Sequence, residues 1–201
     1  MMAEGFFHDA KLTSVANRLY RRVDWDWFLH DGGKNPNSVT FSMGWWKSNT
    51  DWGQKSGFSK TRWDFFDELL HLEILAYALY DKMPLKSWSA FSRKRVDYKG
   101  LQFIVGGPLF FHQMAAGFYD FKERRDRLGY DYWVDGRNST LAQILYCNDN
   151  PSHQAGYGGD IWGLSACDVP DGYAANGAPG ETRDTGTLAP SAGTTSGTRG
   201  A

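Results

Sequence analysis

The chain has 201 residues, enough for one domain with a real core, and its formal net charge of −1 gives no reason to expect a nucleic acid or an anionic membrane as partner. Nine Trp, ten Tyr and thirteen Phe make it rich in aromatics, which suits sugar stacking and equally suits a large helical core. Two cysteines, Cys147 and Cys167, are too few for a disulfide framework, and no Cys/His spacing suggests zinc, so no cofactor or metal is expected.

The N-terminus, Met-Met-Ala-Glu-Gly-Phe-Phe-His, has no basic segment followed by a long apolar run, so no signal peptide is expected in this chain. No stretch is apolar enough to span a membrane. Leu12, Val15, Ala16, Leu19 and Tyr20 recur at helical spacing and predict a helix over about 13–22. Residues 34–60 are polar, with a strand-like run at Val39–Met43, and suit a short β-hairpin or an ordered loop. Thr61 and Asp64 have the spacing of a capping box, predicting one long helix from Trp63 to Tyr80. That helix is apolar nearly all round, as in a buried helix. In it Asp64, Glu68 and His71 would share one face, with Asp67 and Glu73 pointing elsewhere.

Pro84 stops that helix. Phe103-Ile104-Val105 suits a short strand, and Gly106-Gly107-Pro108 a turn that opens a helix over Leu109–Arg125. Gly106-Gly107-Pro108 lacks the ending of a phosphate loop. Asn138-Ser139-Thr140 reads as the next helix start and also as a glycosylation sequon; that helix ends near Cys147–Pro151. From Tyr157 to Tyr173 glycines, aromatics and the carboxylates Asp160, Asp168 and Asp171 crowd together, a mix poor for a helix and poor for a plain strand. Gly158, Gly159, Gly163 and Gly172 permit positive φ there. Such a loop places polar groups at the mouth of a scaffold. Residues 191–201 hold no large apolar side chain and are expected to be disordered.

Several segments stand in a fixed order along the chain. The fullest is Tyr157-Gly158 with Trp162-Gly163-Leu164-Ser165-Ala166-Cys167-Asp168, Pro170 and Gly172-Tyr173. Others are Leu19-Tyr20-Arg21-Arg22-Val23-Asp24-Trp25, Trp63-Asp64 with Asp67-Glu68, Ser87-Trp88 with Ser92-Arg93, and Gly106-Gly107-Pro108-Leu109-Phe110 with His112-Gln113. Together they resemble glucoamylase-like domains, which include endo-β-1,2-glucanases and the hydrolytic domain of cyclic β-1,2-glucan synthases. Ala-Cys-Asp-Val-Pro stands where the family usually reads Ala-Ser-Asp-Gly-Pro. The match covers roughly residues 12–192, and the family continues beyond both ends, so the chain reads as a central piece: a partial domain over 1–190 and a tail over 191–201.

The resemblance implies a mostly α fold, a partial (α/α)6 toroid of helical hairpins with short β-hairpin insertions. It implies a glycoside hydrolase acting on glucan, with β-1,2-glucan the expected substrate, by carboxylate acid/base catalysis. On the family pattern Glu68 is the general acid, and Asp168 serves water activation or sugar binding. Trp63, Asp64, Trp88, Arg93, His112, Gln113, Trp162 and Tyr173 are expected to line the glycan cleft. Without the resemblance, Glu68 reads as a buried carboxylate paired with an Arg, Asp168 as a turn former, and His71 and His112 as core histidines. Two other functions stay open: a glucan-binding module that cuts nothing, and an inactive fragment of a longer hydrolase.

Overall fold

The computed structural model describes residues 6–49, 55–151, 153–169 and 172–177. The fold is mostly helical with a few short strands, arranged in order as helices α1 (Ala10–Tyr20) and α2 (Trp25–Leu29), strands β1 (Trp45–Trp46) and β2 (Gly57–Phe58), helices α3 (Leu69–Leu79) and α4 (Ser87–Ala90), strands β3 (Arg95–Tyr98) and β4 (Leu101–Ile104), helices α5 (Phe110–Gln113) and α6 (Tyr132–Asp149), and strands β5 (Ala166–Val169) and β6 (Gly172–Ala175). Each consecutive strand pair is antiparallel and stands alone. The chain divides into two units, within Met1–Ser92 and within Arg93–Ala201. The expected tail over 191–201 lies outside the described residues.

In the first unit, Asp9 caps α1 by accepting from the Leu12 amide at 2.8 Å. The apolar stripe read from the sequence is present, yet α1 buries none of its residues. Tyr20 ties it to α3, its hydroxyl donating to the Leu75 carbonyl at 2.7 Å. The core holds Trp25, Leu29, Phe41, Phe66, Leu69, Leu70 and Ala76. Beside it Trp27 meets Phe58 with ring centroids 4.3 Å apart and Trp45 at 5.8 Å.

The long helix expected from Trp63 to Tyr80 begins only at Leu69. The capping-box reading fails because the backbone of 61–63 is used elsewhere. The Met43 amide donates to the Thr61 carbonyl at 3.0 Å and the Trp63 amide to the Phe41 carbonyl at 2.9 Å. Ser42 and Arg62 form a β-bridge, which makes the strand-like run at Val39–Met43 a partner of this segment. Arg62 then clamps the region. Its guanidinium pairs with Asp31 at 2.6 Å, donates to the Leu29 carbonyl and Ser38 hydroxyl at 3.0 and 2.7 Å, and reaches the Thr40 carbonyl.

In the second unit, α6 packs on β4. It starts at Tyr132, six residues before the expected Asn138, with Asp131 capping the Val134 amide at 3.0 Å. Gly136 lies inside the helix although glycine is a poor helix former. The structure explains the residue: a Cβ at 136 would lie 3.2 Å from the His112 carbonyl oxygen. The helix ends at Asn150, whose φ of 42° is the left-handed turn asparagine tolerates. Asn138 is a helical residue whose Nδ2 donates to the Gln102 carbonyl at 2.9 Å, a poor setting for the sequon.

The helix expected over Leu109–Arg125 is cut short at Gln113, followed by a 3₁₀ turn at Ala115–Gly117. Beyond it aspartates organise the chain locally: Asp120 accepts from the Lys122 amide, and Asp126 from the Leu128 and Tyr130 amides. Within Tyr157–Tyr173, where no plain strand was expected, Ala166–Val169 pairs with Gly172–Ala175. Ahead of that hairpin Gly158, Gly159 and Gly163 take φ of 128°, 49° and 84°, as their composition suggests.

Candidate functional site

The residues singled out from the sequence fall into the two units. The first holds Trp63, Asp64, Glu68 and Trp88; the second holds Arg93, His112, Gln113, Trp162, Asp168 and Tyr173.

In the first unit the late start of α3 sets the geometry. Asp64 lies in the irregular segment before the helix, and its carbonyl accepts from the Ser92 amide at 2.8 Å. Glu68 sits at the cap position of α3, its own carbonyl accepting from the His71 and Leu72 amides at 3.1 and 3.3 Å. The single helical face expected for Asp64, Glu68 and His71 therefore does not include Asp64. Asp67, which the long-helix reading turned away from Glu68, belongs to the same turn. Its Oδ1 accepts from the Leu69 amide at 2.8 Å.

Burial pushes the Asp67 carboxyl up to about 7, against the pull of the Leu69 amide, and the charges of Glu68 and Asp64 add to the rise. It is a carboxyl that holds its proton to neutral pH, next to the candidate acid. The adjacency Asp67-Glu68 was visible in the sequence, but the helix boundary that makes it matter was not. Burial also lowers the imidazole of His71. Trp88 is half-buried, edge-on to Tyr77 and Phe91 at 6.0 and 6.1 Å, and its amide donates to the Tyr77 hydroxyl at 3.1 Å.

In the second unit Arg93 is 7 % exposed. Its Nε donates to the Tyr132 hydroxyl at 2.9 Å, its guanidinium lies over the Tyr130 ring at 5.4 Å, and Asp126 stands 3.9 Å away. The His112 side chain is fully enclosed. Its Nδ1 meets Asp135 Oδ2 at 2.9 Å, while Asp135 Oδ1 accepts from the Ile104 amide at 2.6 Å. Asp135 was missed in the sequence because the helix was started three residues after it. Gln113 is exposed and donates to Thr140 Oγ1 at 3.3 Å.

The glycine-rich segment before β5 is pinned at Leu164. The Leu164 amide donates to Gln143 Oε1 on α6 at 2.7 Å, and its carbonyl accepts from the Leu109 amide at 3.1 Å. Gln143, 1 % exposed, is a second anchor the sequence did not reveal. Tyr157 and Leu164 pack against Tyr146 and Cys147. Trp162 is 42 % exposed. Asp168 is exposed on β5, in register with Tyr173 on β6. Cys147 is buried and Cys167 exposed, both as free thiols. Among the described residues no cluster of His, Cys, Asp or Glu could hold a metal, and no helix is long and apolar enough to cross a membrane.

Comparison with known proteins gives these features a family. An endo-β-1,2-glucanase from Chitinophaga pinensis, solved with sophorotriose and glucose, shares the fold with a TM-score of 0.66 at 24% identity, over 90% of this chain and 43% of that one. A putative glucoamylase from Bacteroides fragilis aligns with a TM-score of 0.64 at 28% identity, over 87% of this chain and 42% of that one. An exo β-1,2-glucooligosaccharide sophorohydrolase (non-reducing end) from Parabacteroides distasonis is 35% identical over 85 residues, 42% of this chain and 12% of that protein. This chain thus spans less than half the length of each of these relatives. The model of the family described as "Putative glucoamylase" matches residues 60–198, more than half of the sequence, and the chain belongs to that family.

Proposed function

We propose that the chain is part of a glycoside hydrolase acting on β-1,2-glucan, with Glu68 as general acid and Asp168 serving water activation or sugar binding. The observation that carries this reading is the head of α3. Within the family-matched segment, Asp64, Asp67 and Glu68 fall in five residues at the start of an apolar helix, beside Trp63. A general acid must hold a proton at working pH, and in this turn burial raises the carboxyl of Asp67, next to Glu68. The names of the glucan-cleaving relatives support the substrate class. The (α/α)6 toroid belongs to the same proposal, supported by the shared fold of the solved relatives.

Asp67 is a second reading for the acid, favoured by its elevated carboxyl. Release of short glucans from linear β-1,2-glucan tests both. Loss of a general acid costs about 10²–10⁴ in rate. Glu68→Gln is expected to show that loss and Asp67→Asn a smaller one; the reverse order moves the role to Asp67. Normal turnover by both variants removes the acid from this turn. Glucan affinity without product from the unaltered chain identifies a binding module, and loss of cooperative unfolding an inactive fragment.

A further inference from the structure

Glu68 marks one end of α3; the other end opens into a concavity of about 230 Å³ lined by Arg21, Val23, Asp24, Trp25, Asp26, Leu79 and Tyr80. Tyr80 lies twelve positions after Glu68, and at helical rise that is about 18 Å, so this hollow lies apart from the carboxylate turn. Its wall is built rather than incidental. Tyr80 donates its hydroxyl to Asp26 Oδ1 at 2.5 Å, and His30 Nδ1 meets the same oxygen at 3.1 Å. Both contacts fall on Oδ1, and Oδ2 has no hydrogen-bond partner among the described residues. Asp24 Oδ1 accepts from the Trp27 amide at 3.0 Å and so holds its own carboxylate at the rim. Trp25 is 8 % exposed, and its buried Nε1–H has no acceptor among the described residues.

The lining restricts the ligand. Two carboxylates disfavour an anion. Arg21 beside them disfavours a cation, and no group of three metal-binding side chains is present among the described residues. Carboxylate acceptors, a guanidinium donor, and apolar surface from Val23 and Leu79 together match a neutral polyol with one less polar face. The volume is below the roughly 300–1,000 Å³ of sites for larger ligands and suits one ring. We propose that this pocket is an accessory saccharide subsite that takes a single hexose unit of a glucan. The choice of glucan rests on the hydrolase reading above.

The test is a titration of the full chain carrying Glu68→Gln with sophorose, the β-1,2-linked glucose disaccharide, followed by the indole N–H resonances of Trp25 and Trp63. A saturable shift of Trp25 is expected, weakened about tenfold or more by Arg21→Ala or Asp26→Asn, the loss of one charged hydrogen bond. Arg21 is exposed, so its variant tests binding without a buried change. Affinity at Trp25 that neither substitution alters overturns the subsite. So does the same shift produced by calcium chloride or inorganic phosphate alone. A shift at Trp63 with Trp25 silent overturns the subsite and leaves the hydrolase reading standing. Silence at both removes both proposals, and a shift at Trp25 alone supports the subsite while counting against the site at Glu68.

Discussion

Asp67→Asn is expected to make this protein more stable at neutral and alkaline pH and to change little near pH 4. Burial, with the charges of Glu68 and Asp64, raises the Asp67 carboxyl from an ordinary 3.8 to about 7. The folded chain then binds the Asp67 proton more tightly than the unfolded chain does. Between about pH 4 and pH 7 the native state carries the extra proton, so stability falls as pH rises and levels off above the folded value. A displacement of about three pH units, at about 1.4 kcal/mol each, sets an upper bound of about 4 kcal/mol. Partial exposure and coupling to the neighbouring carboxylates reduce it, and about 2–3 kcal/mol is the expected slope from pH 4 to pH 8.

Asparagine keeps the Oδ1 that accepts from the Leu69 amide and removes the charge. Urea unfolding of both proteins at pH 4, 5, 6, 7 and 8 reads the difference directly. The curves should converge at low pH and separate as pH rises, the variant being the more stable. Glu68→Gln should flatten the same slope in part, because one of the charges raising Asp67 is gone. Parallel curves for the unaltered protein and Asp67→Asn would refute the reasoning, since Asp67 would then ionise alike in both states.

Other substitutions probe the scaffold. Gly136→Ala should destabilise by about 1–2 kcal/mol despite alanine's better helix propensity, because its Cβ would meet the His112 carbonyl at 3.2 Å; a gain in Tm would contradict this. Gln143→Leu leaves the Leu164 amide without its acceptor and should cost about 1–3 kcal/mol, with faster hydrogen exchange at that amide as the specific sign. Asp135→Ala strips His112 and the Ile104 amide of a buried partner and should cost about 3–5 kcal/mol in denaturant unfolding, whereas Asp135→Asn should cost less.

The sequence disclosed element types better than their limits. Periodicity found α1, α3 and the C-terminal part of α6, because apolar spacing survives whatever a helix packs against. It misplaced the starts of α3 and α6 for different reasons. Thr61 and Asp64 have the chemistry of a cap, but residues 61–63 pair with 41–43, a contact about twenty residues away that no local pattern encodes. The cap of α6 is Asp131, seven residues before Asn138, and the helix it opens runs through Gly136, which fits against the His112 backbone. The hairpin of β5 and β6 was hidden because Cys167, Asp168, Gly172 and Tyr173 do not alternate as a half-buried strand does. Glu68 came from the family pattern, whereas Asp67 and Asp135 needed helix boundaries that only tertiary contacts fix.

The late start of α3 also sets the balance of forces on the Asp67 carboxyl. A carboxyl at the head of a helix is drawn toward ionisation by the first free amides, an effect of about 0.3–1 kcal/mol. Had the helix begun at Trp63, Asp67 would lie inside the second turn, away from those amides. With the start at Leu69 it meets the Leu69 amide directly, and still its carboxyl rises, because burial outweighs one amide and two adjacent carboxylates act in the same direction. The bridge of Ser42 with Arg62 and the clamp of Arg62 on residues 29–40 hold residues 61–63 out of the helix. The chain of cause therefore runs from an arginine with no place in the chemistry to the protonation of a carboxyl beside Glu68. Arg62→Ala should release 61–63, and with them the elevated Asp67, so the pH slope of stability should shrink along with stability itself.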